Sequence, residues 1–328
     1  DTIITNHPKY GGSHLPDITM VTPVFAPGKD LIGFVVSRAH HAEIGGKTPA
    51  SMPPDATSLA EEGIVIPPTY LVKKNIPNWT ALRQLLTSQP YPTRAVDENM
   101  ADLNAALAAN RTGERDLLEL VSNFGSDIVK VYMDLLKEYA SEKMKETLLK
   151  IPPGIYKAEE KLDDGSLLNV SVTSTADTCT IAYKATGGDP PGNMIATKAI
   201  VSSVVIYVQR LLIDEELPLN DGILEPVEIL IPEGMLNPDF SDEPDKCPAI
   251  VGGNVELSQR LTDTLLKPFE ILSCSQGTMN NVLFGNDEFS YYETICGGCG
   301  AGDGFDGASA VHHHMTNTRI TDPEIMEY

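Results

Sequence analysis

The sequence predicts an α+β protein, with mixed antiparallel sheets and a helical insertion. Three observations carry that prediction. Residues 1–70 set short apolar runs between Gly, Pro and His; residues 97–150 space apolar side chains three and four apart; residues 155–185 return to β-branched and alternating runs. The division expected is therefore 1–95 as loop and strand, 96–150 as helix, and 151–328 as a second α+β region.

Each element has its own signal. Ile18 to Phe25 and Leu31 to Val36 read as strands joined by the Pro27-Gly28 turn. Leu117, Leu118, Val121 and Phe124, then Ile128, Val131, Tyr132, Leu135, Leu136 and Tyr139, give helical periodicity. Gly113 and Gly125 are expected to punctuate these helices, Ser126 to cap the last of them, and Pro152-Pro153-Gly154 to stop it. Runs at 155–159, 167–173 and 178–183 predict an antiparallel meander with Asp164-Gly165 in a hairpin turn. Ile200, Val201, Val204, Val205, Val208, Leu211 and Leu212 mark a helix with a wide apolar face, and a second helix is expected near Val255 to Leu266.

Composition narrows the function. The 328 residues include 24 Lys plus Arg against 46 Asp plus Glu, a formal charge of −22. Such a chain repels phosphate backbones, so no nucleic-acid partner is expected. The longest apolar stretch, Ala199 to Ile213, is short for a bilayer and contains Gln209 and Arg210, so no membrane partner is expected either. Five Cys fit reduced thiols better than a disulfide framework, and no apolar leader is visible, which together predict a cytoplasmic protein.

Histidine is unevenly placed. His7, His14, His40 and His41 fall near one end, His312, His313 and His314 near the other, and none lies in the 270 residues from 42 to 311. His14-Leu15-Pro16-Asp17 and His40-His41-Ala42-Glu43 offer imidazoles and a carboxylate. That donor set suits a divalent ion of the Zn, Mn or Fe type with open coordination positions. The competing reading is loop histidines bonded to backbone carbonyls. On a strand, His312 and His314 would share a face, as a second ligand cluster or as a polar strand end. Cys296-Gly297-Gly298-Cys299 has the C-x-x-C spacing but no second pair to complete a four-cysteine site. Gly302 to Gly307 matches G-x-G-x-x-G without a following amphipathic helix, which favours a turned glycine loop. Gly45-Gly46-Lys47-Thr48 fails as a P-loop because position 41 is His, so no cofactor-binding residue for ATP is identified.

Ordered motifs along nearly the whole chain resemble the hydantoinase B/5-oxoprolinase family. They include Thr5-Asn6-His7-Pro8, Gly11-Gly12-Ser13-His14-Leu15-Pro16-Asp17, Ser37-Arg38-Ala39-His40-His41-Ala42-Glu43-Ile44-Gly45-Gly46 and Ser51-Met52-Pro53. Further on stand Gly252-Gly253-Asn254-Val255, Gly277-Thr278-Met279-Asn280-Asn281, Tyr291-Tyr292-Glu293-Thr294 and His314-Met315-Thr316-Asn317-Thr318-Arg319. The last is most similar to the ATP-dependent 5-oxoprolinases, and the chain resembles a fragment of such a protein.

The resemblance implies ATP-dependent ring opening of 5-oxoproline or a related hydantoin or lactam. It implies ATP with Mg at a hydantoinase A-like partner subunit or domain, and an oligomeric assembly. It places His14, Asp17 and His40 on the metal-ligand positions, with a further Asp ligand upstream of Asp1 in such proteins. Glu43 and His41 are then the expected catalytic residues, Glu43 as a base or as the carboxylate orienting His40 or His41; a solvated loop carboxylate is the alternative for Glu43. The rival functions are ketone carboxylation by the same wider family and a non-catalytic assembly subunit.

Overall fold

The structure is a computed structural model that describes residues 1–186, 192–285, 290–314 and 316. It begins with β1 (Thr2–Thr5), β2 (Asp17–Phe25) and β3 (Leu31–His40), then a single turn α1 (Leu59–Glu62) and strands β4 (Thr69–Lys73) and β5 (Ile76–Pro77). These strands form an antiparallel sheet in the order β3-β2-β1-β4-β5. Along β2 the side chains alternate: Ile18, Met20 and Val24 are buried, and Asp17 and Thr19 turn to the other face. Helices α2 (Trp79–Ser88) and α3 (Val96–Phe124) follow, and Leu82, Leu86, Leu103 and Leu107 join the buried strand residues in one core.

Helix α3 runs unbroken through Gly113. A side chain there would strike Val35 on β3, so this glycine permits close approach of helix to sheet instead of ending the helix. Gly125, at φ +85°, does separate α3 from α4 (Ser126–Leu148), but Ser126 is the first helical residue and gives no side-chain cap.

A second sheet holds β6 (Gly154–Lys161), β7 (Leu167–Ser174), β8 (Cys179–Thr186) and β9 (Val227–Leu230). The first three make the expected meander, turning at Gly165. The fourth lies parallel to β8, because α5 (Lys198–Leu212) carries the chain back across the sheet. Ile200, Val201, Val204, Val205 and Val208 of α5 pack with Leu168, Val170 and Val172 of β7, each burial worth about 1.5–3 kcal/mol. A wide π-helical turn, Gly253–Leu257, leads into α6 (Ser258–Leu266), and Leu257, Leu261 and Leu265 complete that core. Gly253 packs so closely that an added Cβ would meet the Ile195 carbonyl. Strands β10 (Asn280–Gly285) and β11 (Ser290–Ile295) pair antiparallel.

Residues 312–314 are not a strand. His314 takes φ 53° in a turn, so the expected sharing of one strand face by His312 and His314 is corrected. The glycine cluster forms tight loops, with bridges between Gly298 and Ser309 and between Gly302 and Phe305. Among the described residues, no helix is long and apolar enough to cross a membrane.

Candidate metal centre and its cavity

The loop that carries His14 is held from beneath by a buried asparagine. Asn6 donates through Nδ2 to the Leu15 and Ile64 carbonyls at 2.9 and 2.8 Å, and its Oδ1 accepts from the Ile66 amide at 2.7 Å. Leu15 anchors the loop in the first core at 1% exposure. Gly11, at φ +91°, turns the chain into it. The Asp17 amide then donates to the His14 carbonyl, which sets the two side chains three residues apart on one side.

Strand register supplies the third group. Asp17 is paired with His40, and Thr19 with Arg38, across the β2–β3 ladder. All four therefore share the face turned away from the core. His14 Nδ1 lies 2.8 Å from Asp17 Oδ2, and His40 Nδ1 lies 3.3 Å from Asp17 Oδ1. One ligand atom from each of the three residues falls within 4.8 Å of the others. Ser13 Oγ donates to Asp17 Oδ2 at 2.6 Å. Burial alone would push the Asp17 carboxyl up; the hydrogen bonds from His14, His40 and Ser13 outweigh it and hold the group well below the usual carboxylate range.

The other half of the molecule closes over this group. Asn254, on the π-helical turn, places its amide nitrogen 3.2 Å from His14 Nε2. Thr197 caps α5 by accepting from the Ile200 amide and donates to the Gly12 carbonyl at 3.3 Å. Between the two halves lies a cavity of about 690 Å³, and His14, Asp17 and His40 are part of its lining. Ile200, Ile206 and Leu219 make an apolar wall, and Arg38, Tyr207 and His314 add polar groups. Tyr207 and His314 meet at 3.3 Å through the hydroxyl and Nδ1, and His314 Nε2 lies 3.4 Å from Asp263 Oδ1.

His41 and Glu43 lie elsewhere. His41 is buried against α3, its Nδ1 2.7 Å from Asn99 Oδ1, and burial pushes its imidazole below the ordinary range. Glu43 accepts from the Gly45 amide, the Thr93 hydroxyl, the Arg94 and Ala95 amides and the Arg94 guanidinium. It thus closes the N-terminus of α3, and neither residue lines the cavity. Cys296 and Cys299 are half-buried free thiols, and no described histidine joins them in a metal-binding group. Motif spacing does not single out Asn254, Ser13, Arg38 or Tyr207 as site residues; only the Gly-Gly before Asn254 marks its tight packing.

The chain belongs to the hydantoinase B/oxoprolinase family, whose profile matches residues 1–328. It is 43% identical to 5-oxoprolinase 1 of Arabidopsis thaliana over all of this chain and 27% of that protein. It is 41% identical to the 5-oxoprolinase of Dictyostelium discoideum, over all of this chain and 26% of that protein. Among solved structures it resembles the ATP-dependent caprolactamase from Pseudomonas jessenii, with a TM-score of 0.80 and 27% identity over 94% of this chain and 55% of that one. The chain thus spans about a quarter of the length of these two curated relatives.

Proposed function

We propose that this chain is the metal-holding part of an ATP-dependent cyclic amide hydrolase that opens 5-oxoproline or a related hydantoin or lactam. The observation that carries the reading is the convergence of His14, Asp17 and His40 on the wall of a cavity large enough for a small ring. The names of the relatives, 5-oxoprolinase and ATP-dependent caprolactamase, support the reaction class.

The three residues fit a divalent ion. Ligands about 2.1 Å from one centre at tetrahedral or octahedral angles stand about 3.0–3.4 Å apart, and the Asp17 oxygens lie 2.8 and 3.3 Å from the two ring nitrogens. Two nitrogens and one oxygen leave positions open, which fits a catalytic ion better than a structural one. Such an ion, when bound, polarises a carbonyl and lowers the pKa of water towards about 7. Ser13 and Asn254 orient Asp17 and His14 for that task. The apolar wall gives the ring a nonpolar surface to lie against, and Tyr207 with His314 offers a proton to the ring nitrogen as the C–N bond breaks. His41 and Glu43 act as positioning residues, fixing the end of β3 against α3. Amide resonance makes the ring unreactive, and ATP bound at a hydantoinase A-like partner or domain supplies the activation.

The test uses the full-length protein. His14→Ala and Asp17→Ala are each expected to lose stoichiometric metal, by elemental analysis, together with lactam-dependent phosphate release. Retained turnover in either variant overturns the ligand assignment. Bicarbonate incorporation into a ketone, in place of lactam-dependent phosphate release, assigns the protein to the carboxylase reading instead.

A further inference from the structure

The cavity has the opposite charge bias to the chain. The whole chain carries −22, yet among the described residues its only charged Lys, Arg, Asp or Glu linings are Arg38, Arg210 and Asp17. Asp17 is already engaged by His14 and His40. A concave, partly apolar wall concentrates the field of the two guanidinium groups and favours an anion inside. A neutral lactam has no need of either.

The two arginines are not equivalent. Arg210 donates to the Ile213 and Glu215 carbonyls and so closes the C-terminus of α5. Arg38 sits two residues before His40 on β3, hence on the same face and about 7 Å along the strand. Its Nε donates to Thr19 Oγ1 at 2.8 Å and its Nη2 to the Gly11 carbonyl at 2.9 Å. Those bonds fix the guanidinium plane and use two of its five donors. Among the described residues Arg38 has no carboxylate partner. A planar, fixed fork on a cavity wall that carries two guanidinium groups and one carboxylate is the arrangement that takes a carboxylate with two parallel hydrogen bonds.

We infer that Arg38 binds the carboxylate of the substrate, so that the cavity selects a cyclic amide bearing a ring carboxylate, with its amide turned toward His14, Asp17 and His40. This rests on the cyclic amide reading above. It distinguishes 5-oxoproline, which has such a carboxylate, from uncharged lactams of the same ring size.

The experiment compares 5-oxoproline with 2-pyrrolidinone, its counterpart without the carboxylate, in the full-length protein and its Arg38→Gln, Arg38→Lys and Arg210→Gln variants. Arg38→Gln is expected to lower the ratio of the two kcat/KM values about 100-fold, chiefly through KM for 5-oxoproline. Arg38→Lys should recover part of that ratio. An unchanged ratio in Arg38→Gln, including a parallel loss on both lactams, overturns the inference. So does a fall in the ratio that belongs to Arg210→Gln instead. Calorimetric binding of 5-oxoproline separates the two proposals, because it needs no turnover. If the wild type opens neither lactam yet binds 5-oxoproline more tightly than Arg38→Gln does, the carboxylate site is upheld and the hydrolase reading refuted; equal affinity in wild type and variant refutes the site.

Discussion

Asp17 and His40 face each other at the end of the β2–β3 ladder, 23 residues apart in sequence, with Oδ1 3.3 Å from Nδ1. The backbone register, more than side-chain packing, brings them together. The buried alternation of Ile18, Met20 and Val24 pins that register, because a slip by one residue would turn all three into solvent.

The amide of Asn254 steadies His14 from the opposite half of the molecule, and it can be tested apart from the three proposed ligands. Replacing Asn254 by Leu keeps the volume and removes the polar contact with Nε2. Metal affinity should fall about 10–100-fold, read by competition with a chelator of known strength. Unchanged affinity would show that His14 needs no support from the π-helical turn.

Glu43 accepts five hydrogen bonds, four of them from Thr93, Arg94 and Ala95 at the start of α3, and its side chain is 12% exposed. Glu43→Ala leaves the Gly45 and Arg94 amides without that acceptor, while the Ala95 amide keeps the Thr93 hydroxyl, and should cost about 2–4 kcal/mol of stability. The Arg94 ion pair adds little, since that arginine is half exposed. Urea unfolding checks the loss. Metal content of the folded variant should stay near wild type, and a loss of metal at constant stability would return Glu43 to the chemical site.

Glu62 predicts a pH dependence. Its Oε1 accepts from the Ile250 and Val251 amides at 2.8 and 2.9 Å, while Oε2 is buried without a partner. Burial pushes its carboxyl up to about 8, against the pull of those two amides. Between the ordinary Glu value of 4.5 and about 8 the folded chain holds a proton that the unfolded chain has released. Stability from this group therefore declines as pH rises across that window, by up to about 1.4 kcal/mol per pH unit. Glu62→Gln removes the titrating proton and keeps an acceptor for the amides. Its stability relative to wild type should improve steadily from pH 5 to pH 8 in parallel urea titrations, and a constant difference would contradict the raised value.

Much of the fold is legible because local periodicity states it. The alternation along β2 and the spacing of Val201, Val204, Val205 and Val208 name a strand and a helix without reference to anything distant. Periodicity does not say what a face packs against. Phe124, Ile128, Val131, Leu135 and Leu136 repeat as a core stripe would, yet each is about half exposed. Gly113 reads as a break and is instead a contact, since only the position of Val35 reveals why a side chain is excluded. The candidate site divides the same way. Neighbouring His and Asp in short loops suggest a cation from residue type alone. The adjacency of His40 and His41 hides that successive positions near a strand end face opposite ways, one to the cavity and one to α3. Asn254 is 240 residues from His14, and no local signal joins them.

That long span has a consequence for biosynthesis. Synthesis presents His14, Asp17 and His40 some two hundred residues before the amide that steadies His14, and well before the apolar wall formed by α5. Early capture of an ion would meet an open, poorly oriented hairpin. The complete constellation therefore exists only after the ribosome has delivered Asn254, so that its geometry is a property of the folded chain rather than of its first strands.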